Sequence, residues 1–328
     1  MGSLAIDKTI TLEVNGSTQR LRICAAHAGL PPLLVVQGGP ALPVLHEVAR
    51  FQRLLNLEQH FLVGYWEQRG CGDAPREEAN GVSWSQQIED LRTVLTWFHG
   101  ESKQRVTMLG ISIGATLVLQ AVERDCDRVK AVIAVSPDAH TRDADAAADA
   151  FLQNQARRTA NRRLASRVAK LARPPYVDST TFQQRARLLA DLGTIEYGKT
   201  FTALLRETLF GMIAAYGVVG TGRALRNVNL VLRRLLPQIL PLDLYADPPQ
   251  VMVPVHYVFG EQDALTPASV PDRLPAAIAA PASTVVRVAN AGHMVHFDRP
   301  DIVRSIAERI LPTHDSESGT RLATRGRT

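Results

Sequence analysis

The chain has 328 residues, 45% of them hydrophobic, with a mean hydropathy of −0.05, enough apolar material for one large core or two modest ones. That balance excludes an intrinsically disordered or membrane-spanning chain, and the small charge excess (37 basic against 32 acidic, net +5) is a weak pointer to an acidic partner. Cys24, Cys71 and Cys126 are too few and too far apart for a disulfide framework, and no Cys/His spacing suits a metal. A reducing compartment without structural zinc is therefore expected. MGSLAIDKTI lacks the basic-then-apolar pattern of a secretory leader, so the expectation is a cytoplasmic protein.

In chain order, TLEV from Thr11 and RLRICAA from Arg20 flank Asn15-Gly16-Ser17 and predict a hairpin. Short apolar runs then alternate with helical patterns. LLVVQ (Leu33–Gln37) precedes a helix near Val44–Leu57, and FLVGYW (Phe61–Trp66) precedes one near Trp84–Phe98. RVTMLGI (Arg105–Ile111) leads to a helix near Ala115–Glu123, followed by VKAVIAV (Val129–Val135). This rhythm predicts an α/β fold, a mostly parallel sheet with helices on both faces. It stops at Ser136-Pro137 and resumes near Pro254 with PVHYVFG, a helix near Ala268–Ala279, STVVRVA from Ser283 and a helix over Pro300–Ile310.

The interruption reads as an inserted helical cap, its helices broken at Pro174-Pro175 and at Pro237. The expected organisation is core (1–136), cap (137–250), core again (251–312) and a disordered polar tail from Thr313. Within the cap, LFGMIAAYGVV (Leu209–Val219) is expected to form cap core or pocket wall, being too short and too interrupted by glycine to span a membrane.

The run RVTMLGI enters Gly110-Ile111-Ser112-Ile113-Gly114 just before a helix. A G-x-S-x-G turn between strand and helix forces the serine backbone into strain, and the flanking glycines leave room for it. Ser112 is the candidate nucleophile. A serine hydroxyl needs a base that is itself oriented by a carboxylate, in the chain order Ser, acid, His. Asp263 and His293 each follow a strand and meet that need, with Asp138 after VKAVIAV as a second candidate acid. His296 is expected to pack or face solvent. Oxyanion donors are expected from the backbone N–H of Ile113 and of Gly39, in the glycine turn Gln37-Gly38-Gly39-Pro40.

These residues resemble the α/β-hydrolase superfamily and, within it, proline iminopeptidase-like serine hydrolases, over about residues 10 to 311. QGGP (Gln37–Pro40) is similar to the family's HGGPG loop, EQRGCGDA (Glu67–Ala74) to its DQRGxGxS, and QQIEDLRTVL (Gln86–Leu95) to its D-x-E-x-L-R helix. GISIGA, GEQDALTP and NAGHMVHFDRP fill the three triad positions. The resemblance implies the α/β-hydrolase fold, Ser112, Asp263 and His293 as the triad, Gly39 and Ile113 as oxyanion donors, and hydrolysis without a cofactor or metal.

The chain also departs from the pattern. Gln37 replaces a histidine, Ala41 a frequent glycine and Glu67 an aspartate. All three tryptophans (Trp66, Trp84, Trp97) precede the cap, so the Trp/Glu cap motif beside a substrate amine is missing. Hydrolysis of an ester, lactone or amide is the leading expectation, with an aminopeptidase and a non-catalytic binding protein as alternatives. Residues 157–234 carry 15 Lys or Arg against 4 Asp or Glu, so the excess charge belongs to the cap. Arg157, Arg158, Arg162 and Arg163 either face solvent or meet an anionic substrate or acidic carrier. The expected substrate is a small molecule or short peptide, with no nucleic acid partner and no membrane.

Overall fold

The computed structural model describes residues 4–40 and 42–311. The expected tail from Thr313 and the position of Ala41 lie outside the described residues. Strands β1 (Ile6–Val14) and β2 (Ser17–Ala25) form the antiparallel hairpin, turning through Asn15 and Gly16, both at positive φ (47° and 75°). Such a turn matches the right-handed twist of the strands, which is why Asn-Gly stands there. β3 (Pro32–Val36), α1 (Val48–Leu54), β4 (Leu62–Glu67), α2 (Arg76–Asn80), α3 (Trp84–Ser102), β5 (Val106–Ile111), α4 (Ile113–Val122) and β6 (Val129–Val135) follow. The four cap helices are α5 (Thr141–Arg158), α6 (Arg162–Ala169), α7 (Ser179–Asp191) and α8 (Phe201–Ile239). The chain then returns through β7 (Val255–Gly260), α9 (Val270–Ala277), β8 (Ser283–Val288), α10 (Val295–Asp298) and α11 (Pro300–Ile310).

The eight strands lie in the order β1-β2-β4-β3-β5-β6-β7-β8, parallel from β4 through β8. Because strand side chains alternate, the central strands feed two cores. Leu34, Val36 and Met108 pack against α3 and α4, and Leu33, Val35 and Leu109 pack against α1 and α11. Both faces are covered, so these strands read as unbroken apolar runs. Helix α3 shows the complementary pattern: Leu91, Val94, Leu95 and Phe98 recur on one buried stripe, each contributing about 1.5–3 kcal/mol on burial. Its start is fixed by the Ser83 hydroxyl, which accepts the Gln86 N–H at 3.2 Å.

Several local expectations need correction. The segment Val44–Leu57 is one short helix flanked by 3₁₀ turns, because Asn56 takes a left-handed conformation (φ 51°) that ends it. The helices α2 and α10 are only five and four residues long, too short to show a period in sequence. Pro237 does not break the cap; it sits in the last turn of α8, and the carbonyl that its missing N–H leaves without an intrahelical donor, that of Arg233, lies near the helix end, so any disturbance falls where the helix is about to stop. The break falls instead at Gly217 (φ 67°, ψ 179°). There the preceding Tyr216 is drawn to the core, its hydroxyl donating to Glu67 Oε1 at 2.5 Å. The run Leu209–Val219 is only partly wall: Met212 is buried, while Phe210, Val218 and Val219 point outward.

Candidate active site

Ser112 sits between β5 and α4 with φ 55° and ψ −131°, a strained conformation for a residue with a side chain. The tightness of that turn explains its glycines. A Cβ on Gly110 would lie 2.5 Å from the Ala115 Cα, and one on Gly114 would lie 2.5 Å from the Gln37 carbonyl oxygen. The Ser112 N–H donates to the Val135 carbonyl at 2.8 Å, which holds the turn to the end of β6.

The two partners arrive from β7 and β8. His293 Nε2 lies 2.8 Å from Ser112 Oγ, and His293 Nδ1 lies 2.8 Å from Asp263 Oδ2. With Nδ1–H donating to the carboxylate, Nε2 is left to accept the serine proton. The other oxygen of Asp263 accepts from the N–H groups of Leu265 (2.7 Å) and Thr266 (3.0 Å), so the carboxylate is held at both ends. Burial pushes the Asp263 carboxyl upward, but adjacent His293 and the Thr266 hydrogen bonds outweigh it and leave it below the ordinary value.

Asp138 also reaches the site but does not join His293. Its Oδ2 accepts from the Thr141 hydroxyl at 2.8 Å, and its Oδ1 has no partner among the described residues. Burial raises its pKa, opposed by the Thr141 bond and Arg185. His296 is fully buried and stacked on Phe51 at 5.4 Å, and burial holds it neutral.

Gly39 and Ile113 both line the cavity beside Ser112. Ile113 opens α4, so its N–H has no intrahelical acceptor and is free for a ligand. Gly38 allows the close approach of this loop, since a Cβ there would meet the Ile111 carbonyl at 2.9 Å. The substituted Gln37 still holds the loop, its carbonyl accepting from Gln68 Nε2 at 3.0 Å. Glu67 pins the segment that follows, accepting the N–H groups of Val44 (2.7 Å) and Leu45 (3.1 Å). Arg69 forks onto buried Asp90 at 2.6 and 2.9 Å, which ties the EQRG and IEDL motifs together.

The cavity above Ser112 has a volume of about 490 Å³ and is walled mainly by apolar side chains, including Leu42, Phe182, Leu204, Met212, Val228 and Leu265. Of the cap arginines, Arg185 and Arg187 line it. Arg185 is buried, paired with Asp145 and stacked over Phe182 at 4.3 Å. Arg157, Arg158, Arg162 and Arg163 are exposed and outside the cavity wall.

A cap–core seam escapes sequence reasoning. The loop Thr194–Tyr197 between α7 and α8 lies along the His293 loop: His293 N–H donates to the Thr194 carbonyl (2.9 Å) and Met294 N–H to that of Ile195 (2.8 Å). Asp298 Oδ2 bridges the two, accepting from Gly292 N–H (2.8 Å) and Tyr197 N–H (2.9 Å). Arg50 on α1 grips Glu196 with both guanidinium nitrogens, one at 2.7 Å, and lies over the Phe297 ring at 3.7 Å. The available signal was Gly193 and Gly198, which bracket the loop at positive φ inside an otherwise helical region.

Comparison with known proteins agrees with this fold. A family model for the alpha/beta hydrolase fold matches residues 31–300. The probable aminopeptidase YbaC of Bacillus subtilis (strain 168) is 24% identical over 321 residues, covering 95% of this chain and 98% of the relative. A proline iminopeptidase-related protein of Thermus thermophilus superposes with a TM-score of 0.62 at 18% identity, covering 93% of this chain and 97% of that one. The proline iminopeptidase of Mycobacterium smegmatis does so with a TM-score of 0.62 at 18% identity, covering 92% and 97%. With its eight-stranded, mostly parallel sheet and the match across most of its length, the chain belongs to the alpha/beta hydrolase family.

Proposed function

We propose that the protein is a cofactor-independent serine hydrolase in which Ser112 attacks the carbonyl of an ester, lactone or amide. The observation that supports this reading is the continuous relay from Ser112 through His293 to Asp263, each link 2.8 Å, opening on a cavity of about 490 Å³. As Ser112 Oγ bonds to the carbonyl carbon, His293 Nε2 takes its proton and Asp263 stabilises the imidazolium. The N–H groups of Ile113 and Gly39 receive the negative oxygen of the tetrahedral intermediate, each such donor contributing about 3 kcal/mol to the barrier reduction. His293 then protonates the departing alkoxide or amine. Water, deprotonated by the same nitrogen, releases the acyl group and restores Ser112.

The substrate is a small molecule or short peptide-like compound, and the apolar walls favour one with a bulky apolar portion. The free thiols Cys24, Cys71 and Cys126 support a reducing, cytoplasmic setting.

An aminopeptidase is the second reading, and the unpartnered Oδ1 of Asp138 favours it: an ammonium group there would hold the carboxylate ionised. Against it, the cavity's Glu47 and Glu196 are both engaged by Arg50, at 3.8 and 2.7 Å. Rates on p-nitrophenyl esters of increasing acyl length, set against alanine and proline anilides with free and acetylated amines, separate the readings. Ester turnover rising with chain length supports the first. Preference for free-amine anilides, lost on acetylation, supports the second.

A further inference from the structure

The longest cap helix presents an apolar face that nothing among the described residues covers. Between Glu207 and Arg223, α8 has 15 consecutive uncharged residues. Phe210, Val218 and Val219 are 68%, 77% and 72% exposed. The same helix carries part of the cavity wall, since Leu205 and Leu225 line the cavity and are each 39% exposed. The rim of the face is basic: exposed Arg206 stands about one turn before Phe210 and exposed Arg223 about one turn after Val219. Glu207 does not cancel this charge, because Lys199 holds it at 2.8 Å.

We propose that this face of the cap rests on an anionic lipid surface, with the Phe210–Val219 ridge among the acyl chains and the arginines at the headgroups. The break in α8 and the packing of its second half exclude a spanning role for this helix. Its uncharged run covers roughly 22 Å against a hydrocarbon core of about 30 Å. Gly217 breaks the helix midway, and the second half buries Val231, Leu232, Leu235 and Leu236 in the sheet core. A second copy of the chain is disfavoured because a self-complementary contact would bring two basic rims together. Side chains standing this proud suit a deformable medium that closes around them better than a preformed protein surface. A cytoplasmic leaflet supplies both the anionic headgroups and the apolar medium. Contrary to the expectation from sequence, the protein is then a peripheral membrane protein whose cavity mouth opens beside the lipid. The docking does not depend on catalysis; only the delivery of lipid-dissolved substrate to Ser112 rests on the hydrolase reading.

The test uses the full-length Ser112→Ala chain and two vesicle preparations, phosphatidylcholine alone and an equal mixture with phosphatidylglycerol. Cosedimentation with the mixed vesicles is expected, weakening as salt rises from about 0.1 to 0.5 M, with little binding to phosphatidylcholine alone. Combining Phe210→Ser, Val218→Ser and Val219→Ser is expected to weaken binding about tenfold or more while leaving the melting curve intact. Arg206→Glu with Arg223→Glu is expected to abolish the preference for anionic vesicles. Absence of binding to the mixed vesicles overturns the proposal, as does equal binding by the triple serine variant. A dimer in light scattering that the triple variant converts to monomer overturns it too and identifies a second copy as the cover. Short-ester turnover by the unsubstituted chain, measured in parallel, reports on the hydrolase reading separately.

Discussion

Gly292 stands one residue before His293, and a methyl group there has no room. Its Cβ would lie 2.5 Å from the Thr194 carbonyl oxygen and 2.9 Å from that of Ile195. Carbon–oxygen contacts close to about 3.3 Å, so in Gly292→Ala the cap loop and the His293 loop must part by roughly 0.8 Å. The two backbone hydrogen bonds across this seam, 2.9 and 2.8 Å long, stretch with it. His293 Nε2, now 2.8 Å from Ser112 Oγ, moves towards the edge of hydrogen-bond range. A misplacement near 1 Å costs on the order of 10²-fold in rate, or about 2.7 kcal/mol on the barrier. The assay is kcat/KM on a short p-nitrophenyl ester together with the rate of fluorophosphonate labelling. Both are expected to fall about 100-fold, with a modest drop in Tm because the sheet core is untouched. Gly100→Ala is the control: in α3, where a Cβ meets nothing, it is expected to gain up to about 1 kcal/mol of stability and keep full activity. Wild-type rates in Gly292→Ala would refute the claim that the cap loop positions His293.

Glu196→Gln removes one side of the buried pair with Arg50. Breaking such a pair costs about 3–5 kcal/mol, reduced here to about 2 because Arg50 keeps Glu47 at 3.8 Å and the Phe297 ring. A denaturation double-mutant cycle with Arg50→Met checks the coupling, and additive losses would contradict it. Asp263→Asn is expected to lower kcat by about 10⁴. Asp138→Asn is expected to retain far more esterase activity and to stabilise the fold at neutral pH, because the raised pKa of Asp138 means that its ionised form is penalised on folding. A larger kinetic loss in Asp138→Asn than in Asp263→Asn would reverse the assignment of the acid. For His296 the sign is opposite to that of a paired histidine. Its folded pKa lies well below 6.5, so the unfolded chain takes up a proton first and stability falls as pH drops below about 6.5, by up to about 1.4 kcal/mol per unit. In His296→Phe that component of the pH–stability profile is expected to vanish; an unchanged profile would contradict the neutral, unpartnered imidazole.

The sheet was readable because its central strands are buried on both faces and appear as unbroken apolar runs such as LLVV and VKAVIAV. That Ser112, Asp263 and His293 come together was readable for a related reason: each follows a strand, and a parallel sheet gathers those ends at one edge. The seam was hidden because Thr194 and Ile195 act through backbone carbonyls, which leave no trace in residue type. Arg50 and Glu196 are 146 positions apart, and either alone looks like an ordinary surface charge. Gly217 resembles the other glycines of α8, and nothing in residue type marks it as the break, which falls beside the Tyr216 hydroxyl's bond to Glu67. Outward-facing Phe210, Val218 and Val219 read as core material by composition; their exposure depends on how α8 lies on the sheet.

The central claim, that Ser112 is an activated nucleophile, is tested most directly by the intact mass of the protein after treatment with a fluorophosphonate, followed by peptide mapping. The account predicts one phosphonyl group per chain on Ser112, its rate sharply reduced by His293→Ala and its addition abolished by Ser112→Ala. A chain that takes up no label, or carries it on another residue while Ser112 stays free, would contradict the account.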